Sequence, residues 1–456
     1  VVMRRFKSLH LAMLTLGSLC LNSAYASDTL HTLSDTEMSA TTGQALMSMS
    51  YISPKDTANL EANRIGGDKN IGFYKLGLAA ELEINANIKK LQLGCGGVNG
   101  AGACDIDVDN ISLSGLGNSA TSNTASEADR NARASSSAVL TNPFIQFAVK
   151  NPDKASLREV VGLNLSAEKA VGLITFGTEN LKDAQNNGTP NGINSLSGYL
   201  KVSPQSGKAT INPITITQAQ TGVLLSGKAC SGPYVGNCGI VQTTYTTTGY
   251  DLTLTPAGQA TLALPAQEIT GKRITSAVLK ASTTVNGIGI SGNLAANTGL
   301  GIPLSGTTSG TLNNLKVDVT INESLGLFHK ASLNGTGVGL SLQAQDIQWT
   351  SGASVARTGW WLEFSDPIDI GDITPNKNVD IAMATIQDAL SGPVNDYLAA
   401  NWVYCGVFAT SCLAGNIGLG TVTLPNTAAP VPMNMANLSL KNQDFTPNCY
   451  GTLKFC

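Results

Sequence analysis

Three features of the sequence predict a mainly β protein, with long antiparallel strands in a roll, sandwich or barrel-like arrangement. Apolar and polar residues alternate with a period of two in several windows. The 456 residues include 48 glycines, and only 13% are charged, about half the usual share. Eight of the nine cysteines form four close pairs, as in an exported scaffold held by short local staples. A short N-terminal helix and a C-terminal helical, disulfide-stapled region complete the expected fold.

Taken in order, Ser34-Asp35-Thr36-Glu37 is a capping box, and Gly43 lies where a helix of about two turns would end. Ala80, Leu82, Ile84, Ala86 and Ile88 alternate with Glu81, Glu83, Asn85, Asn87 and Lys89, predicting a single strand of about ten residues with one dry face. Residues 118–138 are rich in Ser, Thr, Ala and Asn and read as a loop or linker, with a helical turn as the other reading of 127–133. Pro143 opens an apolar strand through Phe144, Ile145 and Phe147, and Gly162, Gly172 and Gly177 suit tight packing or turns.

Short strands are expected at Ile214–Thr217, Val241–Thr248, Tyr250–Leu254 and Thr261–Leu264, separated by turn residues. Leu315, Val317, Val319 and Ile321 form another dry face. Val338, Leu340, Leu342 and Ala344 form a third, and the phase switch to Ile347 and Trp349 predicts a β-bulge at Asp346. From Val379 to Leu398, the stripe Ile381, Ile386, Leu390, Val394 and Leu398 predicts a helix broken at Gly392-Pro393. These elements divide the chain into a leader (1–26), an N-terminal helix and β segment (27–117), the linker (118–138), a main β region (139–375) and the stapled C-terminal region (376–456).

Nearest-neighbour closure pairs Cys95 with Cys104, Cys230 with Cys238, Cys405 with Cys412 and Cys449 with Cys456, although eight cysteines allow 105 connectivities. Each loop would stabilise the fold by about 2–3 kcal/mol. Zinc fits poorly, because the pairs lack CxxC spacing and His10, His31 and His329 are the only histidines. Arg4, Arg5 and Lys7, the apolar run Leu9 to Leu21 and Ala24-Tyr25-Ala26 read as a secretory signal cleaved before Ser27, taking Cys20 with it. Its removal widens the acidic excess from three to six, so nucleic acid is not an expected partner.

Two blocks carry a resemblance. Leu33-Ser34-Asp35-Thr36-Glu37-Met38-Ser39-Ala40-Thr41-Thr42-Gly43-Gln44 follows an LSDxx(L/M)SxxTGQ pattern. Asn142-Pro143-Phe144-Ile145-Gln146-Phe147-Ala148, with Arg158-Glu159-Val160-Val161-Gly162 and Ala167-Glu168-Lys169-Ala170-Val171-Gly172, follows NPFIxFA…REVVG…AEKAxG. Together with the run 94–109 they resemble the fimbria-associated Fil-type (FilA-like) exported surface proteins of gamma-proteobacteria. The resemblance implies a cell-surface protein linked to fimbriae or attachment, with no reaction and no catalytic residues to transfer.

Chemistry-bearing motifs are sparse. Gly289-Ile290-Ser291-Gly292-Asn293 departs from a nucleophile elbow at its last position and reads as a turn, and His329 reads as an ordinary strand or loop residue. No phosphate loop or dinucleotide fingerprint occurs. Asp105, Asp107 and Asp109 would share one strand face, so Ca²⁺ is the one cation left open, against a solvated strand face; the EF-hand pattern is absent. Asp366, Asp369 and Asp372 are spaced more loosely. No cofactor is expected.

The expected function is therefore non-enzymatic: an exported structural or adhesive protein at the cell surface, in fimbriae or at the outer membrane. Its partners would be other fimbrial or outer-membrane components and a host or abiotic surface. Alternatives are a β-roll carrier of an apolar ligand or lipid, an outer-membrane β-barrel, and last an exported hydrolase using His329.

Overall fold

Strand pairing organises the described residues into three large sheets. The computed structural model describes residues 47–116, 132 and 135–436, apart from 178–180, 183–187, 336, 369, 371–372, 376–377, 381–382, 384–385 and 388–389. The leader with Cys20, the capped turn at Ser34, most of the window 127–133, Asp369, Asp372 and the pair Cys449/Cys456 lie outside the described residues.

The first sheet has twelve strands. Its main path runs Met47–Ile52, Ile71–Leu78, Ala138–Lys150, Glu159–Thr175, Val338–Gln343, Gly359–Ile368, Ile193–Val202, Ile106–Ser114 and Ala86–Leu93. Ile106–Ser114 also pairs with Glu159–Thr175, so five of these strands form a barrel-like ring. A five-stranded sheet (Gln205–Thr210, Gln259–Leu264, Ser276–Val285, Leu315–Ser324 and Val431–Ala436) and a seven-stranded sheet share one apolar core. The seven-stranded sheet runs Trp402–Tyr404, Ser226–Val235, Cys238–Pro256, Ile288–Thr298, Pro303–Asn313 and Asn416–Thr423, with Ile214–Thr217 on Cys238–Pro256. The space among Ile214, Leu254, Ile290, Leu312, Leu390 and Val422 is only about 40 Å³, so this interior is filled. The mainly β architecture with a C-terminal helical, stapled region is thus the one the sequence predicts.

The helical stripe partly survives. Ile386, Leu390, Val394 and Leu398 are buried in the shared core, but Val379 forms a β-bridge with Ile211 and begins no helix. Gly392-Pro393 falls in a π-helical turn, Leu390–Val394, that leads into the α-helix Asn395–Ala400. Proline cannot donate into a regular α ladder, and a widened turn accommodates the gap.

Four expectations are corrected. Residues 80–89 form two strands, Glu81–Ile84 and Ala86–Leu93, because the first pairs with Ala138–Lys150 and the second with Ile106–Ser114. Asn85 at the break donates to the Ser136 carbonyl at 2.6 Å. The strand Val338–Gln343 ends before Asp346, so the phase switch marks a chain excursion to the hairpin Ile347–Gln348/Val355–Ala356. Val241–Thr248 and Tyr250–Leu254 merge into the single strand Cys238–Pro256, with Gly249 at a register shift. Pro143 sits inside its strand, where the partner changes from Glu81–Ile84 to Ile71–Leu78 and no residue pairs with it on that side.

An ion pair fastens the first sheet. Burial would raise the Asp68 carboxyl, but Lys150 Nζ at 2.9 Å, the Asn70 N–H and Gln345 hold it down at about 2. A depressed carboxyl contributes stability above its unfolded value near 4, and that contribution is lost as pH falls through the folded value. The melting temperature is therefore expected to drop as pH falls from about 4 to about 2, and Asp68→Asn to flatten that drop. An unchanged acid limb in Asp68→Asn would contradict the assignment.

Candidate functional site

On the seven-stranded sheet, cross-strand register aligns four exposed polar residues. Asp251 lies opposite Asn293, Asn293 opposite Thr307, and Thr307 opposite Asn416. Directly opposed residues share a face, so these four form one row across four strands. The next row continues it with Thr215, Thr253, Ser291 and Ser309, where the Thr215 and Thr253 hydroxyls are 2.9 Å apart and Asn416 Nδ2 donates to Ser309 Oγ at 3.1 Å. The first row lines a trough of about 770 Å³. At its wall Gly306 lies close against the backbone of Gly415, where a Cβ would stand 2.1 Å from the carbonyl oxygen. Amide, hydroxyl and carboxylate groups spread along such a floor offer both donors and acceptors to a polar ligand.

Two stapled loops lie on the same sheet, and the 405–412 loop leads through the helical turn Thr410–Ala414 into Gly415 of the trough wall. Cys230–Cys238 and Cys405–Cys412 are bonded, as is Cys95–Cys104 elsewhere. The strands carrying the first two run parallel, and the Cys405 N–H donates to the Cys230 carbonyl at 2.7 Å. Tyr404 Oη donates to the Gly232 carbonyl at 3.0 Å and meets Tyr234 edge-on at 5.4 Å. Beneath them Val403, Leu294, Leu304 and both cysteines of the 405–412 staple pack into a small core. Burial there pushes the Tyr245 phenol up to about 12. Above it Tyr234, Val235, Val407 and Phe408 are exposed, Phe408 to 82%. The result is a clasped apolar tip on the sheet that carries the polar trough.

Elsewhere the aspartates separate. Asp105 is 2% exposed and accepts from the Trp360 N–H (3.0 Å) and Asn99 Nδ2 (3.1 Å). Asp107 and Asp109 converge on Lys90 Nζ at 2.6 and 3.0 Å and on Asn194. Burial would raise the Asp107 carboxyl, yet Lys90, Gln92 and Asn194 hold it below the usual range. The position a cation would take between Asp107 and Asp109 is filled by an ammonium group, and among the described residues no three His, Cys, Asp or Glu side chains converge as a metal site. The shared three-carboxylate face is corrected accordingly: Asp105 turns inward under Gly94 and Gly359. His329 is fully buried, its Nδ1 2.8 Å from the Phe176 carbonyl while its own carbonyl accepts from the Phe176 N–H. It ties two strand ends together, away from any solvent-facing substrate.

The sequence signal missed the polar row, because positions 251, 293, 307 and 416 meet only through pairing. It also misassigned a face. Leu82, Ile145, Leu165 and Leu342 are exposed, whereas Gln146, Asn164, Ser341 and Gln343 are buried. Leu82, Ile145 and Leu165, with Leu340, line an apolar groove of about 570 Å³. No family model, curated protein or solved structure matches the chain.

Proposed function

We propose that this is a non-enzymatic exported surface protein that attaches its cell, or a fimbrial assembly, through the polar trough and its stapled tip. The observation that carries the reading is the row Asp251–Asn293–Thr307–Asn416 on the same sheet as two clasped disulfide loops with exposed aromatic residues. A rigid rim reduces the ordering cost of contact, and aromatic side chains supply area at low entropic cost. Short disulfide loops suit an oxidising compartment. The closed ring has five strands, fewer than the eight of the smallest outer-membrane barrels, which favours a surface scaffold over a barrel.

The combined substitution Asp251→Ala and Asn293→Ala is expected to lower attachment of expressing cells to polystyrene or epithelial monolayers about tenfold, the effect of roughly two lost hydrogen bonds. Antibody labelling of intact cells controls for surface display. Normal display with unchanged attachment would sink the trough as the contact surface. Replacing Cys405 and Cys412 by Ser is expected to cost about 2 kcal/mol and to reduce attachment by loosening the tip.

A further inference from the structure

Register places two apolar rows on one face of the first sheet: Met49, Leu76, Ile145, Leu165, Leu340 and Leu362, and beside them Tyr51, Tyr74, Phe147, Leu163, Leu342 and Trp360. Six strands at about 4.8 Å spacing make this band roughly 24 Å wide. Met49 is 82% exposed, and Tyr51, Ile145, Phe147, Leu165 and Leu342 are also exposed. A contiguous apolar surface of this kind marks an interaction site. The band opens directly into the 570 Å³ groove, since Ile145 and Leu165 belong to both.

We infer that the groove holds one acyl chain of a membrane phospholipid, drawn in across the apolar band. Three observations select that occupant. Of the eighteen described residues lining the groove, Ser166 alone has a polar side chain, and its hydroxyl turns to the Ala167 carbonyl at 3.5 Å. A sugar or nucleotide would leave its hydrogen-bonding groups unmet there. The backbone of the floor is already spent: Glu159–Thr175 pairs with Ala138–Lys150 on one side and with Val338–Gln343 and Lys330–Asn334 on the other. A peptide lying on it would leave amides without partners at about 1–3 kcal/mol each, whereas a hydrocarbon has none to satisfy. The volume lies within the roughly 300–1,000 Å³ of small-molecule pockets.

The band decides the source. A chain entering from a bilayer stays against Met49, Ile145 and Leu165 throughout, while a free fatty acid gains nothing from the second row, which lies outside the mouth. This site is separate from the attachment trough and stands or falls independently of it.

The test uses the full chain and vesicles of phosphatidylethanolamine and phosphatidylglycerol carrying a phospholipid with one pyrene-labelled acyl chain. The protein is expected to lower the excimer-to-monomer ratio, saturating at one labelled chain per molecule. Ala167→Trp, which fills the groove, and Leu165→Asp, which charges its exposed rim, are each expected to reduce uptake at least tenfold. Leu165→Asp keeps the wild-type melting profile if it acts at the rim alone, and Asp251→Ala leaves uptake unchanged. Three results would overturn the inference: no uptake from vesicles by the wild type, uptake unchanged in both groove variants, or uptake of a free labelled fatty acid without uptake from vesicles. Self-association relieved by Leu165→Asp without lipid uptake would likewise overturn it, assigning the band to a second copy of the chain.

Discussion

Trp361→Ala is expected to destabilise the fold by about 3–5 kcal/mol, the range for emptying a large aromatic site. The side chain is 1% exposed and packs with Ile71, Phe73, Val161, Tyr199 and Trp349, which come from strands far apart in sequence. Its Nε1 also donates to Ser354 Oγ at 3.3 Å, holding the 345–358 excursion down on the sheet. Gly162 belongs to the same packing, since a Cβ there would come within 2.9 Å of Trp349. Denaturant unfolding should show a large fall in midpoint for Trp361→Ala and a smaller one for Trp361→Phe, which keeps most of the volume. A loss below about 1 kcal/mol in the alanine variant would mean that this cluster does not organise the first sheet.

The second large effect is expected at Glu61. Its carboxylate is fully buried and accepts from Arg64 Nε and Nη2 at 2.6 and 2.9 Å, from the Asp68 N–H at 2.7 Å and from the Gln348 N–H at 2.7 Å. Removing one partner of a buried ion pair leaves the other uncompensated, so Glu61→Ala should cost about 3–5 kcal/mol. Arg64→Leu combined with Glu61→Leu should recover part of that loss, because removing both charges removes the uncompensated one as well. A fully additive double variant would contradict the network.

The first sheet explains why parts of this protein are legible in sequence and others are not. Leu315–Ser324 is read directly, because its alternate residues face a filled core and the intervening ones face outward. The same alternation in Val338–Gln343 reports which residues share a face but not which face is covered. Here the hairpin Ile347–Gln348/Val355–Ala356 and its neighbours cover the polar side, where Gln343 Oε1 accepts from Trp349 Nε1 at 3.3 Å and Gln146 Nε2 donates to Thr350 Oγ1 at 2.7 Å. The leucines are left lining the groove. The polar row is illegible for another reason: Asp251 and Asn416 lie 165 residues apart in the chain, and strand register alone brings them together. The local cysteine pairs are legible because small loops close without knowledge of the fold. Glu61 is hidden because a lone charge in a short helix ordinarily reads as solvated.

The most direct test of surface attachment is fractionation of intact cells, sheared fimbriae, outer membranes, periplasm and medium, each probed with an antibody to this chain. The expected result is recovery with the sheared or outer-membrane material and labelling of intact cells, together with the loss of attachment in Asp251→Ala/Asn293→Ala. Recovery solely as a soluble periplasmic monomer, with intact cells unlabelled, would contradict it.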